Sequence, residues 1–264
     1  MPRLPRIPDI LTTANLSCGV ASILLASQGQ LTLACWLVFA GAAFDVLDGW
    51  AARALGGGSE FGKQLDSLAD MVTFGVAPGI IAAIDPMLAR QHELSCHREV
   101  IEPAFAPFLG QHYGIAITIA LLIVTASCWR LAKFNIDTRQ SNGFLGLATP
   151  ANAMFWASIG VASTVHMNNI GPLSDNLASL LSLLAGDQSA KLLTAFVLGV
   201  LMLSSIPLPS LKFKHMKWKG NEVIYCLLAI GICLLLLYGI LAVPLILLLY
   251  LLSPLWGKLF PKTQ

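Results

Sequence analysis

The chain has 264 residues, of which 56% are hydrophobic and only 11% charged, with a mean hydropathy of +0.74. A soluble domain carries about 25% charged residues, so this composition excludes one and points to an integral membrane protein. The net charge of +2 says little until the charges are sorted by loop, and no nucleic-acid partner is expected.

A spanning helix needs about 20 mostly apolar residues. In chain order the sequence predicts an all-α polytopic bundle with about eight such segments: 11–28, 31–53, 63–84, 113–134, 149–166, 191–208, 222–239 and 241–257. The N-terminal stretch "MPRLPRIPDILTTANLSCG" has no short apolar run ending in a small-residue cleavage site, so it reads as a retained lead-in to the first span. The last two segments share a tight turn near Tyr238–Gly239, which makes six helices plus a C-terminal hairpin the alternative count. Cys18, Cys35, Cys128, Cys226 and Cys233 fall inside apolar segments as small hydrophobes, and only Cys96 is in a polar loop, so no disulfide framework is implied. The longest outer loop, 85–112, holds Glu93, Glu99 and Glu102 with His92 and His97, a composition that reads as solvated polarity rather than a metal site. "GGGS" (56–59) reads as a flexible interhelical turn, because no strand precedes it as a nucleotide-binding glycine fingerprint requires.

Thirteen Lys and Arg residues fall on one side of these spans and three (Arg90, Arg98 and Lys191) on the other. That bias places both termini in the cytoplasm. The loop between spans two and three lies on the same side, and it carries the most unusual feature of the chain: Asp45, Asp48, Asp66 and Asp70 in a sequence otherwise poor in charge. Helical spacing puts Asp45, Asp48, Gly49 and Ala52 on one face, and Gly62, Asp66 and Asp70 on a face of the next, antiparallel helix. A nine-residue turn is predicted between the two helices, so the acidic stripes can face each other. Each aspartate placed in hydrocarbon costs roughly 2.5–3.5 kcal/mol, and only Arg53 and Lys63 are near enough in sequence to compensate. A divalent cation site resolves the conflict, and an all-oxygen donor set favours Mg2+ or Mn2+, with two ions per site the fuller use of four carboxylates. Metals held by aspartates suit phosphoryl or phosphodiester chemistry. A cation transporter and an aspartate-rich prenyltransferase stay open at this point.

The run Asp45-x2-Asp48-Gly49-x2-Ala52-Arg53-x8-Gly62-x3-Asp66-x3-Asp70 resembles the signature of the CDP-alcohol phosphatidyltransferase family at every specified position. The resemblance covers about residues 5–208, and it implies a six-helix catalytic membrane core (1–208) followed by a basic linker and hairpin (209–264). It implies that Asp45, Asp48, Asp66 and Asp70 hold two divalent cations, and that Asp70 is also the base for the acceptor hydroxyl. It gives Gly49, Arg53 and Ser59 to the CDP-diacylglycerol substrate, together with Asp9 and Thr12 at the start of span one. Asp9 stands where the family more often has Asn. A homodimer in a bacterial or archaeal-type cytoplasmic membrane is implied by the family alone.

Within the family, "TTANLSCG", "FGKQLDSLADMVTFGVAPG", "RLAKFN", "GFLGLATP" and "SSIPLPSLK" are most similar to the branch that uses L-serine as acceptor, with Lys133 and Ala148 as mild departures. Glycerol 3-phosphate and an inositol phosphate are the competing acceptors. Any of these carries an anionic group, for which Arg130, Lys133 and Arg139 are the candidate partners. The run "KFKHMKWK" (212–219) reads as a surface for anionic lipid headgroups.

Overall fold

The computed structural model describes residues 6–57, 59–89, 112–136, 144–164, 171–208 and 222–256. The acidic loop 90–111 with His92, Cys96 and His97, the loop carrying Arg139, and the basic run 212–219 lie outside the described residues. The helices are α1 (Ile7–Ser27), α2 (Leu31–Ala54), α3 (Glu60–Asp70), a π-helical segment (Met71–Val76), α4 (Ala77–Ala83), α5 (Tyr113–Ile136), α6 (Thr149–Thr164), α7 (Gly171–Gly186), α8 (Gln188–Leu203), α9 (Glu222–Tyr238), a 3-10 turn (Gly239–Ala242) and α10 (Val243–Trp256). The all-α expectation holds. The exception is a two-residue antiparallel pairing of β1 (Phe144–Leu145) with β2 (Pro207–Leu208).

Five helical runs among the described residues are long and apolar enough to cross a bilayer: Ile7–Ser27, Leu31–Ala54, Glu60–Ala83, Tyr113–Ile136 and Ile224–Ser253. A sixth follows if Ser179–Gly186 and Gln188–Leu203, bent by 93°, count as one broken span. The predicted eight is therefore not reached by this test. α6 has only 16 residues, and the last two predicted spans are the arms of a hairpin, α9 and α10, which pack on each other around Gly239. Gly239 adopts φ +57°, the left-handed conformation that ends a helix. The predicted loop between spans five and six contains α7, which meets α8 nearly at a right angle.

Burial is inverted relative to a soluble protein. Trp50, Phe61, Trp129 and Leu236 are exposed, while Asp9, Thr12, Asn15, Asp48, Asp70, Thr73, Ser127, Arg130, Asn152 and Lys191 are buried. Lipid is a good solvent for apolar side chains, so the polar ones turn inward. On α1 the buried face is Asp9, Thr12, Asn15, Gly19, Ser22 and Ala26, a polar and small-residue stripe at helical spacing that packs on α2 and α3. Lys191, sorted by sequence to the outer loops, is instead buried, and its ammonium donates to the Ile84 carbonyl just beyond α4 at 3.1 Å. A cation suits the exposed carbonyls at a helix C-terminus.

The π segment has a local cause. Pro78 lacks the N–H that would bond the Phe74 carbonyl, and its ring would strike that group in a regular helix. The backbone widens instead, and Ala77 N–H reaches back five residues to the Val72 carbonyl. The widened turn pushes Thr73 between α1 and α2, where its hydroxyl donates to the Asn15 carbonyl at 2.9 Å. Only glycines leave room for it. A Cβ on Gly19 would sit 2.8 Å from the Thr73 Cα, and one on Gly41 would sit 2.6 Å from the Thr73 Cγ2.

Gly19→Ala therefore sets a helix-propensity gain of about 1 kcal/mol against overlap with backbone, and overpacking of this kind costs typically 1–3 kcal/mol. The expected net result is a lower melting temperature in detergent, read by thermal unfolding, with Gly19→Leu worse than Gly19→Ala.

Candidate active site

The site is built where α1, α2 and α3 meet. α2 delivers Asp45 and Asp48 one turn apart, and α3 delivers Asp66 and Asp70. The link between the two helices is residues 55–59, shorter than the predicted nine because α3 starts at Glu60. Carboxylate oxygens of Asp45, Asp48 and Asp66 all lie within 4.8 Å of one another. Asp70 sits one turn beyond Asp66 and within electrostatic reach of Asp45, Asp66 and Asp48. The four aspartates aligned by sequence spacing thus lie near one another, with three forming the tight cluster.

α1 supports these acids with donors. Thr12 Oγ1 donates to Asp48 Oδ2 at 2.6 Å, and Asn15 Nδ2 donates to Asp70 Oδ1 at 3.2 Å. Asn15 was missed in the sequence; the signal for it is the three-residue spacing Asp9, Thr12, Asn15 along the buried face of α1. Among the described residues no basic side chain forms an ion pair with any of the four aspartates, the one salt bridge being the exposed Lys63–Glu60 pair at 3.1 Å. Buried Asp66 Oδ1 has no hydrogen-bond partner among the described residues. Clustered carboxylates with an orphan oxygen and no cationic neighbour fit a hard divalent cation.

Beside the acids is a cleft of about 110 Å3 lined by Arg6, Asp9, Thr12, Asp48, Gly49, Ala52, Gly57, Ser59, Gly62, Lys63 and Asp66, among others. It gathers six sequence candidates for the nucleotide substrate or the acids (Asp9, Thr12, Asp48, Gly49, Ser59 and Asp66). Arg53 borders it: its Nη1 would lie 3.4 Å from a Cβ on Gly49, so the glycine keeps the α2 surface low beneath the guanidinium. Two of the candidates also have local duties. Asp9 Oδ2 accepts from the Arg6 N–H at 2.9 Å, tying down the start of α1. Ser59 is the N-cap of α3, its Oγ accepting from the Gly62 N–H at 2.9 Å. Gly62 is required there, because a Cβ would meet Ser59 Oγ at 3.2 Å and Asp9 Oδ1 at 3.3 Å.

The candidate acceptor residues separate in the structure. Arg130 is buried on α5, donates through Nε to the Leu147 carbonyl at 3.1 Å, and lies 5.6 Å from the Phe134 ring centroid. That carbonyl is held in place by the turn before α6. Leu147 N–H bonds the Leu201 carbonyl at 3.0 Å, and Gly146 (φ +75°) rests on the carbonyls at the end of α8, where a Cβ would lie 2.6 Å from the Ser204 oxygen. Lys133 is half-buried and donates to the Leu203 carbonyl at 3.3 Å, closing the C-terminus of α8. Arg139 is outside the described residues.

Two contacts fix the register of α5 against α3 and the π segment. Ser67 and Asn135 exchange hydrogen bonds at 2.9 and 3.2 Å, and Gly75 abuts Ser127, whose Cβ would lie 3.2 Å from a Cβ placed there. Both contacts obey one antiparallel register, which sets Leu131 opposite Met71. Arg130 is then within about 3 Å of the level of Asp70 along the helix axes, at 1.5 Å per residue.

The model of the family described as CDP-alcohol phosphatidyltransferase matches residues 6–251. The chain belongs to that family. The match runs past 208 into the hairpin, further than the sequence motifs alone extend. Among curated relatives, a CDP-diacylglycerol--serine O-phosphatidyltransferase of Helicobacter pylori is 33% identical over 85% of this chain and 80% of its own length. One of the same name from Methanocaldococcus jannaschii is 27% identical over 86% and 82%. An archaetidylserine synthase of Methanothermobacter thermautotrophicus is 36% identical over 56% of this chain and 54% of its own. Membership in this phosphatidyltransferase family leaves the transporter and prenyltransferase readings without support.

The N-cap role of Ser59 can be tested by itself. Ser59→Ala is expected to lower stability by about 1 kcal/mol, and Ser59→Asp, also a good N-cap, to keep it; melting temperatures of the two detergent-solubilised variants test this.

Proposed function

We propose that this protein transfers the phosphatidyl group of CDP-diacylglycerol to the hydroxyl of L-serine, forming phosphatidylserine and CMP. The observation that carries the reading is the similarity along most of both chains to relatives named for that reaction, in a chain whose aspartates converge beside a cleft. The positive-inside bias supports an active site and termini on the cytoplasmic side. The reading includes an integral protein of a bacterial or archaeal-type cytoplasmic membrane, working as a homodimer.

In this reading Arg53 and Gly49 receive the diphosphate, since a guanidinium matches phosphate oxygens in pairs and glycine lets them come close to α2. Asp9, Thr12 and Ser59 line the nucleotide side of the cleft. Asp45, Asp48, Asp66 and Asp70 would hold Mg2+ or Mn2+, two ions in the fullest use of the site, supplying charge neutralisation of the diphosphate and of the leaving oxygen. Asp70 has one oxygen engaged by Asn15, and no hydrogen bond among the described residues occupies the other. That oxygen takes the proton of the serine hydroxyl. The serine oxygen attacks the phosphorus bearing diacylglycerol, the bond from that phosphorus to the bridging oxygen breaks, and CMP leaves with the electron pair. Arg130, level with Asp70, receives the serine carboxylate; Lys133 and Arg139 are the further sequence candidates for this anionic group.

Purified protein with CDP-diacylglycerol and each of L-serine, glycerol 3-phosphate and an inositol phosphate gives the decisive assay. CMP release is expected with serine, lost with EDTA and restored by Mn2+ or Mg2+. Asp70→Asn is expected to lower the rate by about 10^2–10^4, the usual worth of a general base, and unchanged turnover in that variant would remove Asp70 from the role.

A further inference from the structure

Beyond the aspartates, the described part of the molecule has a second set of buried polar atoms without partners. Asn152, on the first turn of α6, is 1% exposed, and neither its Nδ2 nor its Oδ1 meets a hydrogen-bond partner among the described residues. Ser127 on α5 is 0% exposed with its Oγ in the same condition. An orphaned amide in an apolar interior costs about 1–3 kcal/mol, so a side chain of this kind is retained for something that fills it.

The two border the same apolar cluster, Ser127 next to Ala126 and Asn152 next to Ala151 in sequence. Trp156, one turn outward from Asn152, packs in the same apolar cluster as Ile123 and Ala126 of α5 and Leu147. One turn inward from Ile123 is Ser127, and three residues further is Arg130, which bonds the Leu147 carbonyl. Ser127 in turn abuts Gly75, five residues after Asp70. The orphan groups therefore lie just deeper in the bundle than Arg130 and Asp70, on the far side of the acceptor position from the nucleotide cleft. A ligand with its hydroxyl at Asp70 and its carboxylate at Arg130 has its third substituent left to satisfy. In serine that substituent is an ammonium, which needs acceptors, and Asn152 Oδ1 and Ser127 Oγ are acceptors.

We propose that Asn152 is a specificity-determining residue of the acceptor site, its Oδ1 accepting from the ammonium group of an amino-acid acceptor, with Ser127 Oγ as the neighbouring acceptor. The inference rests on the serine reading above and adds to it how an amino acid is told from acceptors without an amine. A site built to bond a polar group rejects the analogue lacking it far more strongly than an apolar pocket would.

The test uses full-length protein in detergent, with saturating CDP-diacylglycerol and Mn2+. L-serine is compared with 3-hydroxypropionate, which is serine without its amine. The wild-type arm examines the serine reading by itself: turnover of serine supports it, and turnover of only another acceptor overturns it and this proposal together. In Asn152→Ala the KM for serine is expected to rise at least tenfold, with the KM for CDP-diacylglycerol within twofold and the preference for serine over 3-hydroxypropionate collapsing. The melting temperature without substrates is expected to stay level or rise, because an unsatisfied amide has been removed, and the stabilisation by added serine to shrink. Asn152→Asp, which keeps the acceptor oxygen, is expected to recover affinity for serine. An unchanged preference in Asn152→Ala would overturn the assignment. So would a fall in melting temperature with all kinetic constants changing alike, which marks a packing residue.

Discussion

Carboxylates gathered inside a bundle of apolar helices must be held by something, and the protein does this with the inner face of its first helix. Thr12 bonds Asp48 and Asn15 bonds Asp70, while the Asn15 carbonyl accepts from Thr73. A single turn and a half of α1 therefore touches both acid-bearing helices and the π segment that follows. The close approach of these elements depends on the same bonds, because Gly19 and Gly41 have their tight contacts at Thr73. In a bilayer, where apolar surface gains little by leaving lipid, such hydrogen bonds and close backbone contacts carry a larger share of helix association. The donors supplied by α1 leave the Asp45–Asp48–Asp66 cluster short of positive charge, a cluster whose oxygens could hold a cation.

The surroundings of Arg130 are organised by a different rule. Arg130 is buried, yet its position is set by backbone: the Leu147 carbonyl it bonds is fixed by Gly146 and by the end of α8. Lys133 closes the carbonyls of that same helix end. Two basic residues three apart thus divide between a buried position and a half-buried capping one, a split that charge counting does not reveal. The C-terminal hairpin adds to this side, since α10 packs on α6 and on the β2 residues beside the turn.

Much of the acid site was legible in the sequence because its spacing is helical on both sides of a short turn, so periodicity alone aligns the four aspartates. Gly49 falls on the same face by that periodicity, while Arg53 was indicated by the family resemblance. Asn15 was hidden because its polar stripe was read as the lead-in of an apolar span, although in lipid a polar stripe marks the inner face. The burial of Lys191 was hidden because its partner, the Ile84 carbonyl, is more than a hundred positions away. The count of eight spans is not confirmed among the described residues. Hydropathy registers α6, α9 and α10 as apolar, while their described parts run to 16, 17 and 14 residues, with Gly239 between the last two. Asn152 could not be singled out at all, since an asparagine inside a span declares nothing until its missing partners are seen.

The π segment between Asp70 and Ala77 has one more consequence. One extra residue in a helix rotates everything after it by about 100° relative to everything before, at 3.6 residues per turn. The span carrying Asp66 and Asp70 is therefore two helices in different phase, the first clocked toward α1 and α2 and the second clocked so that Ala77 and Ile81 enter the apolar core beside Phe74 and Ala153. Pro78 acts as the phase setter, and Gly75 clears the way for Ser127 at the joint. Insertions or deletions within 71–76 would thus act as frame errors, turning the acids away from their donors while leaving the length of the span almost unchanged.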